Sequence, residues 1–531
     1  MITALLGTGE LVKLALRRDR VLLPVSILGF AGMAGFSAAA TVGLYPQESQ
    51  RFEAASLVNA TAALVALYGR IYDPAAQGAL AMFKLTSFGA AIVAVVITVV
   101  VIRHTRQEEE AGRLELLGSA AVGRSAPLAA ALCVAVGGSL AIGATTTAAL
   151  IAPGLEVPGS AAFGLGWAMA GIAFAAVAAV CAQLTVSARS AVGLGMAVIA
   201  VAYALRAVGD LAANAPGWQS WLSPIGWTQQ IRAYAGEQWW VLCLPLLLVA
   251  ALVPLAFWLR EHRDLGAGAL PDRPGPAAGR ISGVFGLAWR LQRGLLLGWA
   301  VGFAVFGIVL GSIADSVSAF IDSPQMVQIL ARLGGEQALT DAFLAAELGI
   351  MGVIATAFGV SAAQRLREEE VAGHAEVLLA APVSRLRWAA SHVAVAGAGV
   401  AVLLLIAGLA CGVGFTMAVP AATTGVSDLV IASLARLPAA LVLTAVVMLL
   451  FGWAPRFTAL AWLAYAAAVV VGEFGAVWDA PQWLRNLSPF VHSPILPSSF
   501  ATTGALLPLT AVAVGLAGIG FVGWRRRDTP A

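Results

Sequence analysis

The chain has 531 residues, 60% of them hydrophobic and only 11% charged, with a mean hydropathy of +0.88. That apolar content exceeds the roughly 45–50% of soluble domains and excludes water as the main solvent. The formal net charge of +3 and the scattered basic residues make no nucleic-acid surface. Cys133, Cys181, Cys243 and Cys411 lack metal-ligand spacing and read as packing residues.

The first twenty residues, MITALLGTGELVKLALRRDR, lack the short apolar core and small-residue cleavage site of a signal peptide, so they are expected to stay on the protein. Lys13, Arg17 and Arg20 recur at i, i+4 and i+7 opposite Leu and Val, which suits an interfacial helix over 1–20. A cytosolic tail carrying topogenic charge would show the same pattern. Beyond it come apolar stretches of the length a bilayer-spanning helix needs, about 20 residues each. They fall near 21–43, 80–102, 126–150, 161–185, 191–209 and 239–259, then 296–314, 344–363, 388–415, 429–452, 457–474 and 503–524. Strand alternation is absent, and the Gly and Ala content suits close helix contacts in lipid. The fold class is therefore an all-α polytopic membrane protein with about 12 transmembrane helices, multi-pass in the cell (plasma) membrane.

Residues 264–282, DLGAGALPDRPGPAAGRIS, form a Pro/Gly-rich joint between spans six and seven. The expected organisation is an interfacial helix over 1–20, a six-helix half over 21–259 and a cytoplasmic linker with an interfacial helix over 260–295. A second six-helix half follows over 296–524, then a tail over 525–531. With the N-terminus in the cytoplasm, 23 of the 31 basic residues fall in inside segments, as the positive-inside rule requires, and both termini are cytoplasmic.

Residues 103–124, RHTRQEEEAGRLELLGSAAVGR, recur as QRLREEEVAGHAEVLLAAPVSR at 364–385. An offset of 261 pairs Arg106 with Arg367, Glu108 with Glu369, Glu109 with Glu370, Gly112 with Gly373, Glu115 with Glu376 and Arg124 with Arg385. A second block, WQSWLSPIGW at 218–227, pairs with WLRNLSPFVH at 483–492 at an offset of 265. Two blocks at nearly equal offsets imply a duplication, with two parallel six-helix repeats about an axis along the membrane normal and a pathway between them. The acidic block reads as a short helix across the cytoplasmic end, presenting Glu108, Glu109 and Glu115. A solvated continuation of the second span is the plainer alternative, but a surface recognised twice accounts better for the repetition. The outer blocks are expected to form short capping helices, since an aromatic belt explains their Trp residues and not the repeated Leu-Ser-Pro.

The chain contains no G-x-x-x-x-G-K-[ST] phosphate loop, no H-E-x-x-H and no G-x-S-x-G. It is not expected to be an enzyme: it has no catalytic residues, metal site or cofactor of its own. The repeated E-E-x-x-G-[RH]-x-E-x-L element, WLSPIGWTQQIRAYAGEQWW, RRDR, LAWRLQRG and the six-plus-six duplication together resemble the permeases of ABC-2 type exporters. The resemblance is to the duplicated actinobacterial polyketide-antibiotic or tetronasin-like multidrug exporters, and it covers essentially the whole chain. Having 29 arginines against two lysines also fits a high-G+C genome.

The resemblance implies an ABC-2 (type V exporter-like) fold and an ATP-binding cassette transporter that moves hydrophobic or amphipathic small molecules, such as antibiotics, out of the cell. Two copies of a separate P-loop ATPase subunit would bind ATP and Mg and dock on coupling helices. The docking residues it implies are Glu108, Glu109, Gly112, Arg113 and Glu115, and Glu369, Glu370, Gly373, His374 and Glu376. A proton-coupled twelve-helix drug antiporter is the alternative, although the basic loop of major-facilitator proteins is missing.

Ionisable residues at membrane depth are functional candidates. Arg206 and Asp210 can pair at i, i+4, and Glu473 stands 263 residues after Asp210. Lys84 and Glu347, also 263 apart, start spans two and eight with opposite signs, permitting a pair across the halves. Arg436 lies inside span ten and could line a cavity. These six are the candidate pathway or gate residues, with interfacial snorkelling or structural ion pairs as the alternative.

Overall fold

The computed structural model describes residues 3–114, 122–212, 216–270, 283–314, 336–420, 423–474, 481–494, 496 and 503–528. An uninterrupted apolar run in lipid folds as a helix because the helix satisfies its own backbone groups. Among the described residues all regular structure is helical. The first part of the chain forms α1 (Thr8–Arg18), α2 (Leu22–Leu44), α3 (Glu48–Ala60), α4 (Ala62–Tyr68), α5 (Gln77–His104) and α6 (Arg106–Glu110). It continues with α7 (Ala126–Ile151), α8 (Val157–Leu184), α9 (Ala188–Asp210), α10 (Trp218–Trp221), α11 (Pro224–Gln230) and α12 (Cys243–Glu261). The second part holds α13 (Gly283–Ile313), α14 (Glu336–Val371), α15 (His374–Ala380), α16 (Arg385–Ala418) and α17 (Val426–Leu434). It ends with α18 (Leu437–Trp453), α19 (Leu460–Val469), α20 (Gln482–Arg485) and α21 (Leu506–Arg526).

The chain divides into two compact units, Met1–Gly275 and Pro276–Ala531. In the first, α5, α7 and α8 make the core. Trp167 of α8 is buried against Phe30 and Phe163, with ring centroids 5.6 and 4.8 Å away. Gly143 and Gly164 let α7 and α8 touch: a Cβ on either would lie 2.6 or 2.4 Å from the other's carbonyl oxygen. Close approach of this kind replaces the hydrophobic drive that lipid removes. The outer helices α2 and α12 keep Leu28, Phe36, Leu246 and Leu247 exposed, as faces turned to acyl chains require.

The second unit repeats the plan. Phe358 of α14, Leu403 of α16 and Val447 of α18 are fully buried in its core. Gly452 of α18 meets Gly520 of α21 so closely that a Cβ on Gly452 would lie 2.1 Å from the Gly520 oxygen.

Eleven of the described helices are long and apolar enough to cross a membrane, as a polytopic protein requires. At the place of the expected span 457–474 stands a shorter apolar helix, Leu460–Gly472, which ends in a π-helical turn over Val470–Phe474. The expected interfacial helix before span seven is not separate, because α13 runs unbroken from Gly283 to Ile313. Arg290, Gln292 and Arg293 stay within that helix, whereas the chain leaves helical geometry at Asp19 between α1 and α2. The expectation that all four cysteines pack inside is corrected: Cys181 and Cys411 are buried, while Cys133 and Cys243 are exposed.

Candidate functional site

Each acidic block ends a long helix. In the first unit Thr105 breaks α5 with φ −117° and ψ −86°, and α6 continues as one turn carrying Glu108, Glu109 and Glu110. In the second unit α14 runs without a break through Glu368, Glu369 and Glu370 to Val371. The expected separate acidic helix is thereby corrected. The acids lie at the ends of helices that cross the membrane, and the next helical segment starts only after a glycine. Gly112 and Gly373 have φ of +69° and +74°, a conformation that L side chains rarely adopt. Their N–H groups donate to the carbonyls of Glu109 and Glu370 at 3.0 and 3.1 Å, closing the helix ends in the same way.

One glutamate of each block, Glu109 and its counterpart Glu370, is enclosed by arginines. Glu109 Oε1 accepts from Arg263 Nη1 at 2.7 Å and from the Gly266 N–H at 2.7 Å. Its Oε2 accepts from Arg263 Nη2 at 2.7 Å and pairs with Arg106 Nη1 at 3.1 Å, while Arg260 Nη1 lies 3.8 Å from Oε1. Glu109, Arg106, Arg260 and Arg263 are all buried. Arg263 Nε also donates to Gln183 Oε1 at 2.8 Å, which ties the assembly to α8. Arg124, just before α7, donates to the Arg263 carbonyl at 2.7 Å.

The second unit builds the same clasp. Glu370 pairs with Arg367 at 2.7 Å and with Arg527, and Arg385 donates to the Arg527 carbonyl at 2.7 Å. The Arg527 guanidinium donates to the Phe451 carbonyl at 2.8 Å and lies over the Trp524 ring at 4.8 Å. Burial lowers its pKa, and Glu370 works against that shift. Arg263 and Arg527 stand 264 residues apart in the sequence, at the ends of α12 and α21. The repeat thus has a fourth member that the aligned blocks do not contain. Each clasp joins the end of its unit's long acidic helix to the end of its last helix.

This geometry divides the expected docking residues. Glu109 and Glu370 do not present charge outward, which corrects that part of the expectation. Glu108 is partly buried against Arg18 and Arg113, and Glu369 is buried between Arg365 at 2.5 Å and His374 at 3.1 Å. Arg113, His374 and Glu376 are exposed, and Glu115 lies outside the described residues. Beside the second clasp is a pocket of about 280 Å³ lined by Glu370, Ala375, Glu376, Leu379, Val383 and Arg385. Val371 and Val377 next to it are 69% and 75% exposed, apolar groups without cover at a charged end of the protein.

Residues 281–525 match the family described as multidrug efflux system permease Rv1217c, C-terminal domain. Over 526 residues the chain is 43% identical to the multidrug efflux system permease protein Rv1217c of Mycobacterium tuberculosis, covering 98% of this chain and 95% of that relative. The chain belongs to the Rv1217c permease family. It is a multi-pass membrane permease.

In this Rv1217c-family permease the in-span charges divide by surroundings. Arg206 is fully buried, and its guanidinium donates to the carbonyls of Val65, Ala66 and Leu67 at 3.3, 2.8 and 3.1 Å. Those are the last carbonyls of α4, so Arg206 caps that helix as a cation suits a C-terminus. It also pairs with Asp210 at 3.3 Å, and Asp210 accepts from Ser220 at 3.0 Å. These surroundings are those of a structural ion pair. Arg436 stands at the break between α17 and α18 and donates to the Ala345 carbonyl of α14 at 2.9 Å. Gly352 leaves the room, since a Cβ there would lie 3.1 Å from the Arg436 Cβ.

Lys84 is exposed on α5, with its ammonium 5.6 Å from the Phe83 ring centroid. Glu347 is half-buried in α14 and has no ionic or hydrogen-bond partner among the described residues. Glu473 belongs to the π-helical turn, and its side chain lies outside the described residues.

The repeated Leu-Ser-Pro has one physical role in both units. Ser223 donates to the Ala202 carbonyl of α9 at 2.6 Å, and Ser488 donates to the Ala468 carbonyl of α19 at 2.7 Å. The prolines that follow start α11 and a short 3-10 turn over Pro489–His492, the capping helices expected there. Ser223→Ala and Ser488→Ala are each expected to cost about 1–2 kcal/mol, the worth of a buried hydrogen bond lost together with its packing. Thermal midpoints of the purified variants check this, and an unchanged midpoint counts against the assignment.

Proposed function

We propose that this permease is the membrane part of an ATP-driven exporter of the ABC-2 type, working with two copies of a separate P-loop ATPase that holds ATP and Mg. The observation that carries the reading is the clasp built twice, each followed by a left-handed glycine turn next to an exposed edge. In this reading the arginine-rich end faces the cytoplasm in the plasma membrane, and one ATPase copy docks on each edge. Gly112, Arg113 and Glu115 serve the first. Gly373, His374 and Glu376, with Val377, serve the second.

The clasps give the docking a mechanical consequence. A push on the short segment after Gly112 reaches α5, a rod of about 42 Å at 1.5 Å per residue. Because Glu109 locks that rod to Arg263, and Arg263 to Arg124, the end of α12 and the start of α7 are driven with it. Glu370, Arg527 and Arg385 do the same for α14, α21 and α16. Closure of the two ATPase copies on ATP would then move several helices of each unit together, a rigid-body change that alternates access. The cargo class is hydrophobic or amphipathic small molecules, antibiotics among them, in keeping with the relative's multidrug efflux name.

Glu347 is the observation that favours a proton-coupled antiporter, since a partly buried carboxyl without a partner can carry a proton. Transport of a fluorescent cationic dye into inverted vesicles separates the two. The exporter reading expects accumulation that needs ATP and survives a protonophore. Accumulation that a proton gradient alone supports would overturn it.

A further inference from the structure

One side chain of the first clasp is left over. Arg260 is 4% exposed, yet among the described residues it makes no hydrogen bond, and its one ionic contact is Glu109 Oε1, 3.8 Å from Nη1. A buried guanidinium without a hydrogen bond is costly. Around it the bonding is taken up. Arg263 uses Nε on Gln183 and both Nη atoms on Glu109, while Arg106 Nη2 donates to the carbonyls of Thr185 and Ala267. Glu110 accepts from the Ala188 N–H at 2.9 Å, and Glu108 pairs with Arg18 and Arg113. Three buried arginines share the Glu109 carboxylate, and Arg260 holds the poorest place.

The packing does not need a cation there. The offset of 264 that pairs Arg263 with Arg527 pairs Arg260 with Trp524, which is fully buried against Trp388 and Phe451 with ring centroids 5.5 and 4.9 Å away. The indole N–H of Trp524 donates to the Arg385 carbonyl at 3.1 Å, so an aromatic ring fills the equivalent place with its polar atom satisfied.

Arg260 and Arg263 stand three residues apart at the end of α12, which puts them on one side of it. If α12 slides against α5 toward its own C-terminus, the 3.8 Å contact needs only about 1 Å to become a charge-assisted hydrogen bond. After about 4.5 Å, three residues of helical rise, Arg260 stands where Arg263 now is. Glu109 would pass from one arginine to the next without being left unpaired. Shifts of this size between packed helices are an established way for proteins to change state.

We propose that Arg260 is a positioning residue for transport, taking Glu109 over from Arg263 when α12 moves. The first clasp is then a latch with two positions, and the second, with Trp524, has one. The latch acts in any transport cycle that moves α12 against α5, whatever energises it.

Thermal midpoints of the purified full-length chain and dye transport into inverted vesicles, driven by whichever energy source serves the parent, test this together. Arg260→Met should melt no lower than the parent, because no hydrogen bond is lost, yet transport about tenfold more slowly, the effect of one charge-assisted hydrogen bond missing from the second position. Arg260→Lys, which keeps the cation, should restore part of the rate. Arg263→Met should keep its midpoint better than Arg527→Met does, since Arg260 can take Glu109, and adding Arg260→Met to Arg263→Met should remove that protection. The midpoints need no transport, so they bear on the latch even where the exporter reading fails. An Arg260→Met chain that transports as the parent does, or that melts well below it, overturns the proposal. So does strict additivity of Arg260→Met and Arg263→Met.

Discussion

Glu109→Lys is expected to abolish the folded permease, not merely to weaken a docking surface. The substitution removes the carboxylate that compensates Arg106, Arg260 and Arg263 and places a fourth cation among them. Breaking a buried ion pair from one side costs about 3–5 kcal/mol, and an added like charge increases that cost. Glu370→Lys should cost less, about 1–3 kcal/mol, because Arg367 and Arg527 retain some access to water and fewer cations surround the site. Fluorescence-detected size exclusion after a heating series measures both. A Glu109→Lys chain that elutes and melts as the parent does would contradict the clasp.

Arg206→Met should destabilise the first unit by a similar amount, about 3–5 kcal/mol. The change leaves the α4 carbonyls of Val65, Ala66 and Leu67 without their donor and Asp210 without its cation. Arg206→Met with Asp210→Leu should recover part of the loss, since a buried pair replaced on both sides by apolar groups is often tolerated. The coupling of the two substitutions in a double-mutant cycle is the decisive quantity. If Arg206→Met leaves the melting midpoint in place and alters only transport, the residue belongs to the pathway and the structural assignment fails.

Much of the architecture was legible because lipid imposes one rule on the backbone. Apolar runs of sufficient length became helices, and the repeat was visible from Arg106, Glu109 and Arg124 and their counterparts. The break between α1 and α2 at Asp19 and the unbroken α13 were not distinguishable, since each region shows a basic cluster ahead of an apolar run. The direction in which Glu109 points was also hidden. Three consecutive glutamates at a helix end read as a charged surface, and only tertiary contact shows that Arg263, 154 residues later, turns the middle one inward. Arg263 and Arg527 could have been found by following the offset to the ends of spans six and twelve. The loop that holds Arg232 and Tyr234 at φ of +53° and +64° leaves no pattern in residue types, because its support is the absence of a Cβ at Gly78 and Gly159.

The central claim is that each unit receives its own ATPase copy beside its clasp. The most direct measurement counts the P-loop ATPase copies that copurify, in mild detergent, with the tagged full-length chain and with a Val377→Asp variant. Val377 is 75% exposed and outside the clasp, so the variant should melt as the parent does. The account predicts two ATPase copies per parent chain and at most one on the variant. A folded parent that purifies without any ATPase, or a variant that still holds two, would contradict it.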